Sequence, residues 1–390
     1  MTDRARVAIV GAGPQALTAA VYLVHAGVDP NDVVVFDPSG VWLDEWHRSF
    51  ARLGIEHLRS ASVHHPHPQP YALLDFARAR RRAGEFFHTY SLPSTALFAD
   101  FCTQLIDESG LAAVVRPDAV IEVTADGEIL TQGGDRVRAD HVVWATNSSV
   151  PAVVFPGREA DMCRVDVEIA HRPGSVAVVG GGLTAAHLVE RAVERGAHVE
   201  WLTRREVELR DFDTDPGWLG PKEMDGFAAE PDPQLRLERV FAARGGGTVP
   251  PWIMRRISRA EQAGRVCRRV GAIAIDGVDG VDGASVVGVR VDGVAVAVEQ
   301  VILATGSRPC VAASPPLDRL CRSVDVECID GRPVLDNSLR LPNSVVHVMG
   351  RLAQLQLGPT AGNLAGARHG AERVVGSVVG VDAMYALADI

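Results

Sequence analysis

Two short glycine-rich segments have the residue types and spacing of a phosphate-binding turn. Residues 11–16 and 180–185 each follow an apolar run, read Gly-x-Gly-x-x-Ala and precede a stretch with helical periodicity. The first glycine of this pattern makes a tight turn, the second lets the backbone approach a pyrophosphate, and the third small residue packs helix on strand. The helix N-terminus then stabilises negative charge. Two copies predict two bound dinucleotides, and the natural pair is FAD and a nicotinamide.

The residue after the second strand of each unit indicates which nucleotide binds there. Asp37 ends an apolar run in the first unit, whereas Arg204 and Arg205 follow the corresponding run in the second. An acid accepts hydrogen bonds from free ribose hydroxyls, and an arginine accommodates a 2′-phosphate. Asp37 therefore suits the adenosine ribose of FAD, and the arginines suit NADPH. Surface arginines with no ligand are the alternative interpretation.

Later strand ends add further candidate contacts. A strand ending at Gly350 precedes the turn 358–363 and a helix over 364 to about 379. A Pro/Gly-rich turn at a helix start offers N–H groups and a positive dipole end, which suits the pyrimidine edge of a flavin. An ordinary capped helix is the alternative. The cofactor-binding residues predicted from these patterns are Gly11, Gly13, Pro14, Gln15, Ala16, Asp37, Gly180, Gly182, Thr184, Arg204, Arg205, Thr305, Gly306, Gly350, Pro359, Thr360 and Asn363.

The two halves of the chain repeat one order of elements. The helices 14–26 and 183–195 lead to the strands 32–37 and 198–203, and alternating stretches at 120–137 and 272–298 predict antiparallel meanders. This order predicts an α/β fold with two Rossmann-like dinucleotide-binding domains, each with an antiparallel β-meander. We expect an FAD-binding domain at 1–150 and 304–390, an inserted NADPH-binding domain at 172–303, a linker at 151–171, and proline-marked hinges at 150–157 and 306–316.

Composition excludes several classes of function. The 390 residues carry 39 basic and 49 acidic side chains, so a net charge of −10 argues against a nucleic-acid surface and a polybasic membrane patch. The longest apolar runs fall short of the roughly 18 residues that a membrane helix needs. These features predict a cytoplasmic protein with no membrane and no nucleic-acid partner.

Cysteine and histidine spacing narrows the chemistry further. None of the six cysteines forms a Cys-x-x-Cys or similarly close pair, which disfavours a dithiol relay to a disulfide substrate. His64, His65 and His67 form a cluster that could bind zinc or copper. Intervening prolines give them poor geometry for one ion, so no metal site is predicted. The acidic stretch 206–215 is interpreted as a loop between the domains.

With these residues placed, the chain resembles the class B flavoprotein monooxygenases, most of all the lysine/ornithine N-hydroxylases of siderophore biosynthesis. Residues 46–50 resemble the Trp-His-x-Gly-Met segment of that family, 68–76 its Asp-Pro-x-x-Pro-Tyr-Ser-Phe-Leu segment, and 98–102 its Glu-Phe-x-x-Tyr segment. The chain departs from related patterns at Arg351, where many two-dinucleotide flavoproteins have Asp. It also departs at 155–157, where the expected linker histidine is missing, and at Arg59, where the N-hydroxylases often carry Gln.

The resemblance implies an NADPH-consuming, FAD-dependent monooxygenase. In that family a flavin C4a-hydroperoxide, formed with dioxygen, oxygenates a small molecule, and N-hydroxylation of an amine is the expected reaction. It implies that Trp46 lines the flavin and that His47 and Arg59 are the catalytic candidates. A packed loop histidine is the alternative for His47. A homo-oligomer is expected because members of the family are often multimers. Two other functions stay open: an NAD(P)H-dependent flavin reductase serving a quinone or redox protein, and a non-catalytic flavin-binding regulator.

Overall fold

The computed structural model describes residues 3–87, 89–153, 174–281 and 284–380. The strands of this part are β1 (Asp3–Val10), β2 (Val33–Phe36), β3 (Phe86–Phe87), β4 (Leu92–Pro93), β5 (Val115–Arg116), β6 (Val120–Val123), β7 (Glu128–Thr131), β8 (Arg136–Trp144), β9 (Ser149–Pro151), β10 (Ser175–Val179), β11 (His198–Thr203), β12 (Glu208–Leu209), β13 (Thr248–Val249), β14 (Val266–Val270), β15 (Ile273–Val281), β16 (Ala284–Val291), β17 (Val294–Val298), β18 (Gln300–Leu303), β19 (Ser307–Pro309), β20 (Cys328–Ile329), β21 (Arg332–Pro333) and β22 (Val346–Val348). The α-helices are α1 (Pro14–His25), α2 (Asp44–Leu53), α3 (Ala72–Ala79), α4 (Thr95–Glu108), α5 (Leu183–Glu194), α6 (Pro221–Ala229), α7 (Pro233–Arg244), α8 (Pro251–Gln262), α9 (Pro315–Ser323), α10 (Gln354–Leu357) and α11 (Leu364–Val379).

The first sheet is built around β1, which runs parallel to β2 on one side and to β8 on the other. Val7, Ala8 and Ile9 are fully buried, as expected for a central parallel strand, which explains the unbroken apolar run in the sequence. On its far side β8 pairs antiparallel with β7 in its first half and parallel with β22 in its second. The C-terminal region therefore completes the sheet that the N-terminus starts.

The second sheet has the order β14-β11-β10-β18, and all its pairs are parallel. The antiparallel strands β15, β16 and β17 form a separate three-stranded sheet. We call the elements around the first sheet the first lobe (β1–β9, β19–β22, α1–α4 and α9–α11) and those around the second sheet the second lobe (β10–β18 and α5–α8).

The two chain crossings between the lobes are hydrogen-bonded to each other. Strand β9 pairs antiparallel with β19, with Val150 opposite Arg308 and Pro151 opposite Ser307. The prolines predicted a pair of hinges here, and residues 149–151 and 307–309 form a two-stranded ribbon in this region; the hinges stay a prediction. Residues 154–157 of the predicted hinge, and residues 154–171 of the predicted linker, lie outside the described residues.

Most sequence-based expectations for the fold are confirmed. The predicted helices 14–26 and 183–195 are observed as α1 and α5, each ending one residue earlier, and both predicted meanders are antiparallel. The α/β class with two Rossmann-like sheets, each with a parallel central part, is also confirmed. The interpretation of 206–215 as a plain loop was wrong in one respect, because β12 pairs there with β13. The domain boundaries stay a prediction. None of the described helices is long and apolar enough to cross a membrane.

Candidate nucleotide-binding sites

The first glycine turn has the geometry that its motif predicts. Gly11 has a φ of +99°, and a Cβ there would lie 3.2 Å from the carbonyl oxygen of Ala145 and 3.3 Å from the Thr146 methyl. Gly13 is the N-cap of α1 and Pro14 its first residue, with no side chain capping the helix. The site of a Cβ on Gly13 has no atom within 4 Å. The first turn of α1 therefore presents uncapped N–H groups to open space, as an anion site requires. Ala16 is fully buried against the sheet, as predicted for the third position.

The Asp37 carboxylate is hydrogen-bonded to the backbone of this turn. Its Oδ2 accepts a hydrogen bond of 3.0 Å from the amide of Ala12, and its Oδ1 accepts bonds from the amide and hydroxyl of Ser39 at 3.0 and 2.6 Å. A carboxylate offers about four acceptor sites, so capacity for a further donor remains. The predicted ribose contact is compatible with this arrangement.

A turn from the C-terminal region covers the first site. The Gln15 amide donates to the carbonyls of Ala361 and Asn363, each at 3.2 Å, and so ties α1 to residues far along the chain. Asn363 caps α11 through Gly366 at 3.0 Å. The side-chain oxygens of Gln15 and Thr360 are buried with no partner. Buried unsatisfied acceptors are rare, and a bound group carrying N–H donors, as a flavin does, would satisfy them.

The predicted residues Gly350, Pro359 and Thr360 also lie in this region. Gly350 follows β22 with a φ of +77°, and a Cβ there would contact Gln15 at 3.6 Å. Pro359 and Thr360 form the short turn before α11, and both are buried. The neighbouring Arg351 donates to the backbone carbonyl of Ser307 and to its hydroxyl, the latter at 2.8 Å. Arg351, which stands where related proteins have Asp, therefore fastens the C-terminal turn to β19.

The two catalytic candidates and Trp46 occupy different environments. Trp46 stacks on Phe50 with ring centroids 4.1 Å apart and packs on Phe98 at 5.5 Å. His47 is exposed on α2, and its described ring contact is an edge contact with Trp46 at 5.1 Å. Arg59 is directed into the second lobe, where its guanidinium donates to backbone carbonyls. Their catalytic roles stay predictions.

The second glycine turn is tighter than the first. Gly180 has a φ of +142°, and a Cβ there would lie 2.2 Å from the carbonyl oxygen of Ala304. Gly182 caps α5 without a side-chain bond. A Cβ on Gly247 would lie 2.7 Å from the Gly182 Cα, so the loop 245–247 packs directly on this turn. The run of three glycines was visible in the sequence as a signal for close backbone approach, but it was not among the predicted residues.

A cavity of about 1250 Å³ opens from the second turn. The predicted residues that line it are Gly180, Gly182, Thr184, Arg204, Arg205, Thr305 and Gly306. Arg205 donates to the carbonyl of Gly245 at 2.7 Å, and Arg204 is exposed. Asn147 and Ser149 also line the cavity, although they follow β8 of the first lobe. Sequence reasoning missed this contribution because it depends on how the lobes pack.

The histidine cluster is a structural feature of the first lobe. The Nδ1 atoms of His65 and His67 accept backbone N–H bonds, at 3.2 Å from His67 and at 3.0 Å from Gln69. Arg368 donates to the carbonyls of His67 and Pro68 at 2.5 and 2.8 Å. Burial lowers the pKa of His65 to about 3 and that of His67 to about 4. Across the described residues, no group of three or more side chains is suited to hold a metal ion.

A family model described as pyridine nucleotide-disulphide oxidoreductase matches residues 5–217, which include both glycine turns and Arg204 and Arg205. The chain belongs to this family. A pyridine nucleotide-disulphide oxidoreductase fold accounts for the two Rossmann-like sheets and their glycine turns. Yet no cysteine is among the residues that line the cavity, and every described cysteine is a free thiol.

Solved structures with this fold include enzymes of two reaction types. An ornithine N-hydroxylase from Kutzneria sp. 744 is 19% identical, with 96% of this chain and 99% of that chain covered and a TM-score of 0.75. The cadaverine monooxygenase DfoA from Erwinia amylovora, bound to FAD, is 16% identical, with 97% and 95% covered and a TM-score of 0.73. A bacillithiol disulfide reductase from Bacillus cereus is 16% identical, with 97% and 99% covered and a TM-score of 0.59. At these identities the similarity shows the shared fold.

Proposed function

We propose that the protein is an NADPH-dependent flavin monooxygenase, with FAD at the first glycine turn and NADPH at the second. The observation that carries this proposal is the path of the chain after β8. The Thr146 methyl lies 3.3 Å from where a Cβ on Gly11 would be, while Asn147 and Ser149 line the cavity of the second turn. One short segment therefore belongs to both sites, as direct transfer of a hydride between two nucleotides requires.

The residues of this chain would bind and orient the cofactors. The first turn, Asp37, Gln15 and Thr360 would hold FAD, and the second turn with Arg204 and Arg205 would hold NADPH. Bound FAD would supply the redox chemistry, accepting a hydride and activating dioxygen. The rings of Trp46 and Phe50, backed by the buried Phe98, would form an apolar wall that excludes water from the reacting face.

Two observations favour oxygenation over reduction of a disulfide. None of the six cysteines forms a Cys-x-x-Cys or similarly close pair in the sequence, whereas a dithiol relay needs a redox-active pair next to the flavin. The fold also superposes better on the ornithine N-hydroxylase than on the bacillithiol disulfide reductase, with TM-scores of 0.75 and 0.59. We propose a small molecule with a soft nucleophilic atom, and a primary amine in particular, as the substrate.

The test measures where the electrons of NADPH go. Purified protein with FAD is mixed with NADPH and ¹⁸O-labelled dioxygen in the presence of a panel of diamines and amino acids. Incorporation of one labelled oxygen atom into an amine, matched to NADPH consumption, supports the proposal. Peroxide release with every amine contradicts it, and rapid reduction of an added quinone in the same assay would identify a flavin reductase. Failure of NADPH to reduce the flavin would point to a regulatory protein.

A further inference from the structure

Several arginine side chains donate to main-chain carbonyls across the joint between the two lobes. The chain has a single lysine, Lys222, so almost every cation is an arginine with a planar set of donors. Arg59, Arg236 and Arg244 each cross the joint between the lobes, and we call these three residues the arginine clamp. Because their acceptors in the opposite lobe are mostly backbone carbonyls, the clamp fixes the backbone of one lobe relative to the other.

Arg59, from the loop after α2 in the first lobe, makes the largest set of bonds. Its Nε donates to the Asp211 carbonyl at 2.8 Å, and one terminal nitrogen donates to the Arg210 carbonyl at 2.7 Å and the Thr248 hydroxyl at 2.8 Å. The other terminal nitrogen donates to the Thr248 carbonyl at 3.3 Å. Burial lowers the pKa of Arg59 to about 10, while the nearby carboxylate of Asp213 opposes this shift. The side chain is thus charged at neutral pH, and these hydrogen bonds join it to the second lobe.

The other two members cross the joint in the opposite direction, from α7 to α10 and to the turn that precedes α11. Arg244 donates to the carbonyl of Pro359 at 2.8 Å and pairs with Asp213 at 3.0 Å. Arg236 donates to the carbonyl of Leu355 at 3.2 Å. The segment 355–360 carries Pro359 and Thr360, which are predicted to contact the flavin. The second lobe therefore holds the turn that covers the first nucleotide site.

The acceptors of Arg59 connect the clamp to the second nucleotide site. Thr248 directly follows the glycine run 245–247, which lines the cavity and packs on Gly182. Arg210 is joined to the same loop, because its amide donates to the Val249 carbonyl at 3.1 Å. A single guanidinium thus connects the first lobe to the loop that closes the second turn.

We infer that the arginine clamp fixes the distance and angle between the two nucleotide sites, and that Arg59 and Arg244 are positioning residues for hydride transfer. This inference rests on the proposed function. Arg59 and Arg244 lie outside both glycine turns, and neither is among the residues that line the cavity of the second site. Their removal should therefore leave each nucleotide bound while separating donor from acceptor.

The variants are Arg59→Ala, Arg244→Ala, their combination, and Arg59→Lys. Arg78→Ala is the matched control, because Arg78 lies on α3 with an exposed side chain and pairs within its own helix with Asp75. FAD content, the NADPH dissociation constant and the rate constant of flavin reduction are measured for each. We expect the double variant to keep its FAD, to bind NADPH within about threefold, and to lose roughly 10- to 100-fold in reduction rate, as misplacement by an ångström does. Arg59→Lys should recover part of the rate.

An unchanged reduction rate in the double variant would overturn the inference, as would a loss of NADPH binding equal to the loss of rate. Hydrogen–deuterium exchange gives a second measurement that does not depend on flavin reduction. Peptides covering 208–214, 245–250 and 355–361 should exchange faster in the double variant than in wild type, and at wild-type rates in Arg78→Ala. If NADPH fails to reduce the wild-type flavin, the proposed function fails, whereas unchanged exchange in all three peptides refutes the clamp.

Discussion

The two glycine turns share one sequence pattern but are completed in different ways. At the first turn, Asp37 bonds to Ala12, and Gln15 joins α1 to the turn at Ala361, so distant parts of the first lobe cover the site. The second turn is covered by its own loop 245–247 and opens into a cavity of about 1250 Å³ with an exposed Arg204. This difference suits a nucleotide that stays bound at the first turn and one that exchanges at the second.

The largest expected effect comes from adding a methyl group to each turn. Gly180→Ala would place a Cβ 2.2 Å from a carbonyl oxygen, whereas Gly11→Ala would meet one at 3.2 Å. Both positions also require a positive φ. We expect Gly180→Ala to destabilise the protein by about 2–4 kcal/mol and Gly11→Ala by about 1–2 kcal/mol. Thermal unfolding midpoints of the two variants check this order, and equal midpoints would contradict it.

Gly13→Ala separates nucleotide binding from folding at the first turn. Gly13 has a φ of −80°, and a Cβ there meets nothing within 4 Å, so the folded protein accommodates alanine without strain. The methyl group would occupy the space through which a pyrophosphate approaches the backbone. We expect the unfolding midpoint of the FAD-free protein to be unchanged. The affinity for FAD, measured as FAD content, should fall roughly 10-fold or more, because a clash that costs about 1.4 kcal/mol of binding free energy lowers affinity tenfold. Wild-type FAD content would argue that no pyrophosphate binds here.

The arginines at the second turn should set the preference for NADPH over NADH. We expect Arg204→Ala with Arg205→Ala to lower this preference about 10- to 100-fold, because two charge-assisted bonds to the 2′-phosphate are lost. Arg204→Ala alone isolates the phosphate contact, since Arg205 also donates to the Gly245 carbonyl. The ratio of kcat/KM for the two nucleotides is the measurement. A ratio that stays at its wild-type value would remove this assignment.

The sequence allowed the prediction of features that depend on local spacing. Both turns, α1, α5 and the acid-versus-arginine difference follow from residues close together in the chain, and the observed Gly11 and Gly180 geometries agree with them. Features created by contacts between distant segments were not predictable. Arg59 was named as a catalytic candidate from the family resemblance, and no local pattern indicated that its acceptors, Arg210, Asp211 and Thr248, come from the other lobe. The ribbon of β9 and β19 was missed for the same reason.

Acid should loosen the first lobe before the second and so release FAD. Burial lowers the pKa of His64 to about 4, of His65 to about 3 and of His347 to about 4, and all three lie in the first lobe. Each is held neutral in the folded state but takes up a proton near pH 6.5 when unfolded. The stability that they contribute is therefore complete above pH 6.5 and falls as the pH drops toward 4. At pH 5, His65 alone would lower the free energy of unfolding by about 1–2 kcal/mol relative to neutral pH.

The measurement is the unfolding midpoint and the fraction of free flavin at pH 7, 6 and 5. His64→Gln should show a shallower loss of stability than wild type, because it removes one group that takes up a proton on unfolding. The matched control is His198→Gln, an exposed histidine of the second lobe, which should follow the wild-type curve. FAD retained at pH 5 with an unchanged midpoint would show that the first lobe is no more acid-sensitive than the second. The two sites would then differ only in the segments that cover them, the C-terminal turn at the first and the loop 245–247 at the second.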